Sequence, residues 1–232
     1  MLLVQTDHIQ YKVGEVERIQ DRATLLFRAT VYIYGDAAGT ELAAQIASDI
    51  ASHWNAPGGT VTIGRQRYSL HFDIQGLYAP NIDPEMIWYN DNPQLNFFRV
   101  EEYVMGDISF VDGLGCNTGY FKLANLLQTS TTAAHEFGHT LGLVHPRQTD
   151  IRGGRVPGIM YPRGTLCDPP FQYDPLAEAG KYGGFLNPHH RKVTQQDIDD
   201  LKLQRCIFNE QNRAVVGSFS SLYHEKHSPP LF

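Results

Sequence analysis

The stretch HEFGHTLGLVH, residues 135–145, decides how the rest of this sequence is read. His135 and His139 stand four residues apart, so on a helix their rings leave one face a turn apart and can reach the same ion. Glu136, next to the first of them, is placed to hold and deprotonate a water on that ion. Two histidines leave zinc short of a ligand. A helix that simply continued would carry His145 almost three turns beyond His135, too far along to share the metal. Gly142 removes that obstacle, because glycine enters a left-handed conformation that ends a helix and turns the chain back. His145 can then approach as the third ligand. Three protein ligands with the fourth position left to water make a catalytic site, whereas structural zinc is closed by four.

The reaction expected of such a site follows from its parts. The ion acidifies its water toward neutrality, Glu136 takes the proton as the oxygen attacks a polarised carbonyl, and the resulting acid protonates a leaving amine. A peptide bond is the substrate most demanding of that set. The oxyanion would still need a donor, for which Tyr161 is the candidate.

Working outward, 232 residues can bury one sizeable core, and 42% hydrophobic against 19% charged residues argues for a packed globular chain. A formal charge of -6, without a basic block, speaks against nucleic acid as a partner. No apolar run approaches the ~20 residues of a membrane span, and the start of the sequence lacks the pattern of a signal peptide. The compartment therefore stays open between a cytoplasmic protein, a processed mature form and export by a leaderless route. The expected assembly is a monomer. Cys116, Cys167 and Cys206 fit neither a disulfide scaffold nor a four-thiolate metal site, although Cys167 and Cys206 could pair.

Upstream of the motif, TLLFRATVYIY (24–34) reads as a strand. Residues 41–54 form an amphipathic helix, with Leu42, Ile46, Ile50 and Trp54 on one stripe beside Ala43 and Ala47. TVTIG and RYSLHFDIQGLY follow as strands, then a polar, proline-rich connection, then the strand-like FFRVEEYV and DISFV. GLGCNTGYF (113–121) reads as a glycine-rich loop before the motif helix, which Ser130 or Thr131 could cap. Residues 146–192 are irregular and too long for an ordinary connection, so they are expected to cover a functional face. VTQQDIDDLKLQR (193–205) reads as a last helix with Thr194 and Asp197 as a capping box.

The motif matches HExxHxxGxxH of the metzincin clan of zinc endopeptidases at His135, Glu136, His139, Gly142 and His145, and the sequence resembles that clan in a second place. GIMYP (158–162) is similar to its Met-turn, with Met160 under the ligands as an unbranched, adaptable filler. The MYP tripeptide and the last helix resemble matrixins, whereas Pro146 directly after His145 resembles serralysins. The resemblance implies an α/β (α+β) zincin-like metzincin fold: a twisted, mixed, mostly parallel β-sheet, two long helices, an active-site cleft, and a smaller C-terminal subdomain ending in a helix. It implies one catalytic domain over 1–232, divided into 1–145 and 146–232. It also implies one catalytic Zn2+ on His135, His139 and His145, Glu136 as general base, and a protein or peptide substrate paired as an extended strand with an edge strand, for which DISFV lies nearest the motif.

Alternatives to the endopeptidase are a zinc amide hydrolase acting on peptidoglycan cross-links and a non-catalytic zinc-containing binding module. QYDPLAEAGKYGGFLNPHHRK resembles segments of metallopeptidase domains in bacterial polymorphic toxins, which would suit the first alternative. Ca2+ could bind the Asp and Asn side chains of NIDPEMIWYNDN, but their spacing matches no helix-loop-helix site. His189 and His190 with Arg191 and Lys192 read as a small polar cluster whose histidines are solvated or locally bonded, and Cys116 as an ordinary small hydrophobe.

Overall fold

A computed structural model describes residues 15–127, 130–154 and 156–229. Its frame is a mixed sheet whose central strand, β2 (Thr24–Tyr34), alternates in burial as its sequence alternates in character. Leu25, Phe27, Ala29, Val31 and Ile33 face one core. β2 runs parallel to β4 (Gln66–Tyr78) on one side. On its other side its second half runs parallel to β5 (Leu95–Glu101), while its first half pairs antiparallel with β1 (Val16–Ile19). β3 (Thr60–Ile63) closes one edge, antiparallel to β4. Beyond β5 come β7 (Thr118–Lys122), parallel, and then β6 (Phe110–Val111), antiparallel at the other edge. The sheet is therefore parallel through its centre and antiparallel at its margins.

Helix α1 (Thr40–Asn55) lays Ala43, Ile46, Ala47, Ile50 and Trp54 on this core, the stripe expected from the 3.6-residue period. The motif helix α3 (Thr132–Thr140) packs against it, and only His139 among its nine residues escapes full burial. Trp54 Nε1 donates to the Ala134 carbonyl at 3.0 Å, and the Phe137 ring meets Phe27, Phe72 and Trp54 edge-on. Two helices and the sheet thus share one aromatic core, and α3 is held by it from behind.

Several expectations need correction. The segment 113–121 does not stay a loop: its second half is strand β7, with Gly119 in the ladder because a Cβ there would lie 2.4 Å from the Phe110 carbonyl and 2.7 Å from the Phe98 ring. The polar connection after β4 contains a short helix, α2 (Pro84–Trp88), capped by Asp83. The last helix is only α4 (Gln195–Asp200); Lys202 at φ +54° breaks it, and a 3-10 turn, Leu203–Arg205, follows. Its capping box is as expected, with the Thr194 amide and hydroxyl both donating to Asp197 Oδ2 at 2.7 Å. Beyond α4 the chain returns to the sheet through β8 (Arg213–Ala214), antiparallel to β1, rather than stopping at the helix. Cys167 and Cys206 are both free thiols, so no bridge joins them. No helix among the described residues is long and apolar enough to cross a membrane.

Candidate metal centre

The end of α3 builds the ligand geometry. Gly142 has φ +86°, its amide donates to the His139 carbonyl at 3.0 Å, and the Leu143 amide donates to the Gly138 carbonyl at 3.0 Å. These two bonds are those of a Schellman cap, closed by a left-handed residue just past the helix. The reversal has two consequences. It sends His145 back toward the ligand face, and it aims the Leu143 carbonyl at His139, whose Nδ1 donates to it at 2.7 Å.

His135 is fixed from another direction. Its Nδ1 donates to the carbonyl of Ile159 at 2.7 Å, so the segment resembling a Met-turn holds the first ligand by its main chain. Met160, 3% exposed, packs beneath: a Cβ on Gly138 would come within 2.4 Å of its sulfur. Carbonyl oxygens only accept, so in both histidines the proton sits on Nδ1 and the Nε2 lone pair is free.

The three Nε2 atoms converge. His145 Nε2 lies 3.1 Å from that of His135 and 3.1 Å from that of His139. Two nitrogens ~2.05 Å from one zinc at a tetrahedral angle would be about 3.3 Å apart. With both lone pairs directed inward, His145 could donate a proton to one of them only, and the arrangement otherwise sets lone pair against lone pair; a cation between them relieves that. Burial holds all three imidazoles below the usual histidine range, with the cation of Arg191 adding to the effect, so they are neutral and ready as ligands at neutral pH. Among the described residues these three form the one group of His, Cys, Asp and Glu able to hold an ion.

The site is a metzincin zinc centre.

Neither a protein-family model nor a curated protein matches the chain, so the assignment to the metzincin clan rests on this ligand set and its signature. The zinc, the peptidase mechanism and the enzymatic character follow from the same residues; a non-catalytic module would have no use for Glu136 beside them.

Glu136 is 7% exposed, and burial pushes its carboxyl up to about 8, against the pull of Arg191 and Arg163. A dication in the adjacent site pulls the same way as the arginines. Glu136 shares a cavity with His135, His145, Thr132 and both arginines. The cavity lies beside the sheet edge: Ile108 and Ser109, just before β6, form part of its wall.

Two sequence expectations change here. Tyr161 is not in this cavity; it borders a second one with Gln148, Asp150 and Arg152, and the main-chain carbonyl of Tyr161 is what faces the centre, accepting from Arg191 Nη1 at 3.0 Å. Arg191, placed by the sequence only in a small polar cluster, is 4% exposed, its Nε donating to Thr131 Oγ1 at 3.0 Å and its Nη1 lying 2.9 Å from His135 Nδ1. Burial lowers Arg191 to about 10, still cationic at neutral pH. Nothing in the local sequence could reveal this, because its partners Thr131 and Tyr161 lie 60 and 30 residues away.

The remaining candidates are used locally. Asp83 caps α2, and Asn90 and Asn92 accept from the amides two residues on, which closes turns rather than a calcium site. Asn187 caps the 3-10 turn Pro188–His190, and the His190 ring meets Phe171 edge-on.

Proposed function

We propose that this chain is a zinc endopeptidase that cleaves a protein or peptide laid as an extended strand along the edge of β6 that no described strand pairs with. The observation that carries this is the placement of Glu136 and two of the ligands, His135 and His145, in one cavity beside an antiparallel edge strand. An unpaired edge offers main-chain donors and acceptors to an incoming strand, which positions a peptide bond without regard to its side chains. Bound zinc supplies Lewis acidity toward a carbonyl and brings water within reach of a base at neutral pH.

The chain's own residues do the rest. His135 and His139, held by Ile159 and Leu143, present their lone pairs without rotating. Glu136 removes a proton from the attacking water and returns it to the leaving amine; burial raises its carboxyl, while Arg191, Arg163 and the charge that zinc would bring pull it back toward the ionised form a base requires. The aromatic core behind α3 keeps these groups in register, since Phe137 and Trp54 leave the helix no room to shift.

The test is cleavage of a proteome-derived peptide library by the zinc-loaded protein, with the new termini mapped by mass spectrometry. Internal cuts that vanish with chelator and in Glu136→Ala are expected. Absence of any cut by the zinc-loaded protein, or release of terminal residues alone, contradicts the proposal.

A further inference from the structure

The cavity beside Glu136 has a volume of about 330 Å³, room enough for one substrate side chain. Its fixed charges are unbalanced. Arg163 and Arg191 both line it, and Glu136, which the reaction itself employs, is the one carboxylate among its described lining residues. The charge of a zinc ion adds to the excess. A neutral side chain entering such a pocket leaves the cations without a counter-charge, whereas a carboxylate neutralises them.

Arg191 has the geometry of a carboxylate receptor. Thr131 Oγ1 and the Tyr161 carbonyl fix its Nε and Nη1, so the plane of the guanidinium cannot turn. Among the described residues nothing accepts from Nη2, although the side chain is almost wholly buried and borders the cavity. An immobilised guanidinium with donors to spare is suited to a carboxylate, with which it forms strong, directional bonds. Arg163 is exposed and is steadied by Asn125 Oδ1, which accepts from its Nη2 at 2.7 Å; Asn125 in turn donates to Ser109 Oγ at 3.2 Å. The second cation is thereby tied to the segment leading into β6.

We propose that this cavity selects an aspartate or glutamate side chain on the leaving-amine side of the scissile bond, with Arg191 as the specificity-determining residue and Arg163 as a second cation at the same pocket. The inference rests on the peptidase reading. The side of the bond follows from Glu136: the group that protonates the leaving amine must face it, so the pocket bordering Glu136 receives the residue that carries that amine.

The experiment measures kcat/KM of the zinc-loaded protein on one cleavable peptide series in which the residue after the scissile bond is Asp, Asn, Glu, Gln or Lys. A preference of at least ~10-fold for Asp over Asn and Glu over Gln is expected, carried mainly in KM, with Lys poorest. Arg191→Lys keeps the charge but loses the planar fork and should reduce the Asp:Asn ratio toward unity; Arg163→Gln should reduce it several-fold. The ratio is taken on one sample with two substrates, so it does not depend on the fraction that is folded, and a purely structural role for Arg191 would leave it unchanged. If Arg191→Lys does not fold, Arg163→Gln carries the test. Equal cleavage of Asp and Asn peptides by the unaltered protein, or unchanged ratios in the variants that fold, overturns the inference while leaving the peptidase in place. Failure to cleave any peptide would instead contradict the peptidase itself.

Discussion

Gly142 is the hinge on which the third ligand turns, and the series Gly142→Asn, Gly142→Ala and Gly142→Val measures its weight. A Cβ at this position would meet none of the described residues within 4 Å, so crowding by them contributes no penalty. What remains is the backbone: φ is +86°, and an L-residue in the left-handed region costs ~1–2 kcal/mol, less for Asn and more for a β-branched side chain. The cost can appear in two places. If the turn holds, the zinc-saturated protein loses that stability, which for a chain of this length lowers Tm by roughly 2–8 °C in Gly142→Ala. If the turn relaxes instead, the Leu143 carbonyl leaves His139, His145 leaves the other two ligands, and zinc affinity falls by about 5- to 30-fold. Thermal unfolding at saturating zinc and chelator competition together capture both. The order Asn, Ala, Val in increasing damage is expected. Ala and Val variants with unchanged Tm and unchanged zinc affinity would refute the account of the turn.

Gly138→Ala adds helix propensity worth ~1 kcal/mol, yet its Cβ would fall 2.4 Å from the Met160 sulfur, so overpacking of ~1–3 kcal/mol should dominate and lower Tm. The double variant Gly138→Ala with Met160→Ala should be less destabilised than the sum of the two single changes, and simple additivity would contradict the contact. Glu15 is buried, accepts from the Val216 and Gly217 amides, and is raised to about 7 by burial. Its protonated form is the one the folded state favours, so stability should be greatest below pH ~4.5 and decline as pH rises through 7, by ~3 kcal/mol at most. In Glu15→Gln, whose amide oxygen can accept the same bonds, denaturant titrations at pH 5 and 8 should lose that difference; a slope like that of the unaltered chain would sink the assignment. Thr194→Ala removes one half of the α4 capping box and should cost ~1 kcal/mol in the same titrations, and no change would show that α4 is held by packing alone.

What the sequence reveals and what it hides divide along physical lines. β2 and α1 are legible because one face of each is buried by a regular period, and local pattern then equals tertiary outcome. The ligands are legible because their spacing is a helix turn followed by a glycine cap, a purely local device. Strand β7 is hidden because glycine in a ladder looks like a loop; only the Phe98 ring and the Phe110 carbonyl, brought up by other strands, explain Gly119. β1 and β8 are too short to show a period; β1 pairs with its neighbour β2 across a short turn, and β8 is fixed by β1 from near the other end of the chain. Arg191 is hidden because burial of a cation depends on acceptors the fold supplies. Helix α4 ends short of the helix expected over 193–205 because Lys202 takes a left-handed conformation that its residue type does not announce.

The measurement that bears most directly on the central claim is peptide hydrolysis by Glu136→Gln carrying zinc. The variant keeps His135, His139 and His145 and nearly the same side-chain shape, so elemental analysis should find one zinc per chain, as in the unaltered protein. Its hydrolysis rate should fall by ~10²- to 10⁴-fold, the span that general acid–base catalysis contributes. A zinc-loaded Glu136→Gln that cleaves peptides at the rate of the unaltered protein, or an unaltered protein that binds no zinc, would contradict the account.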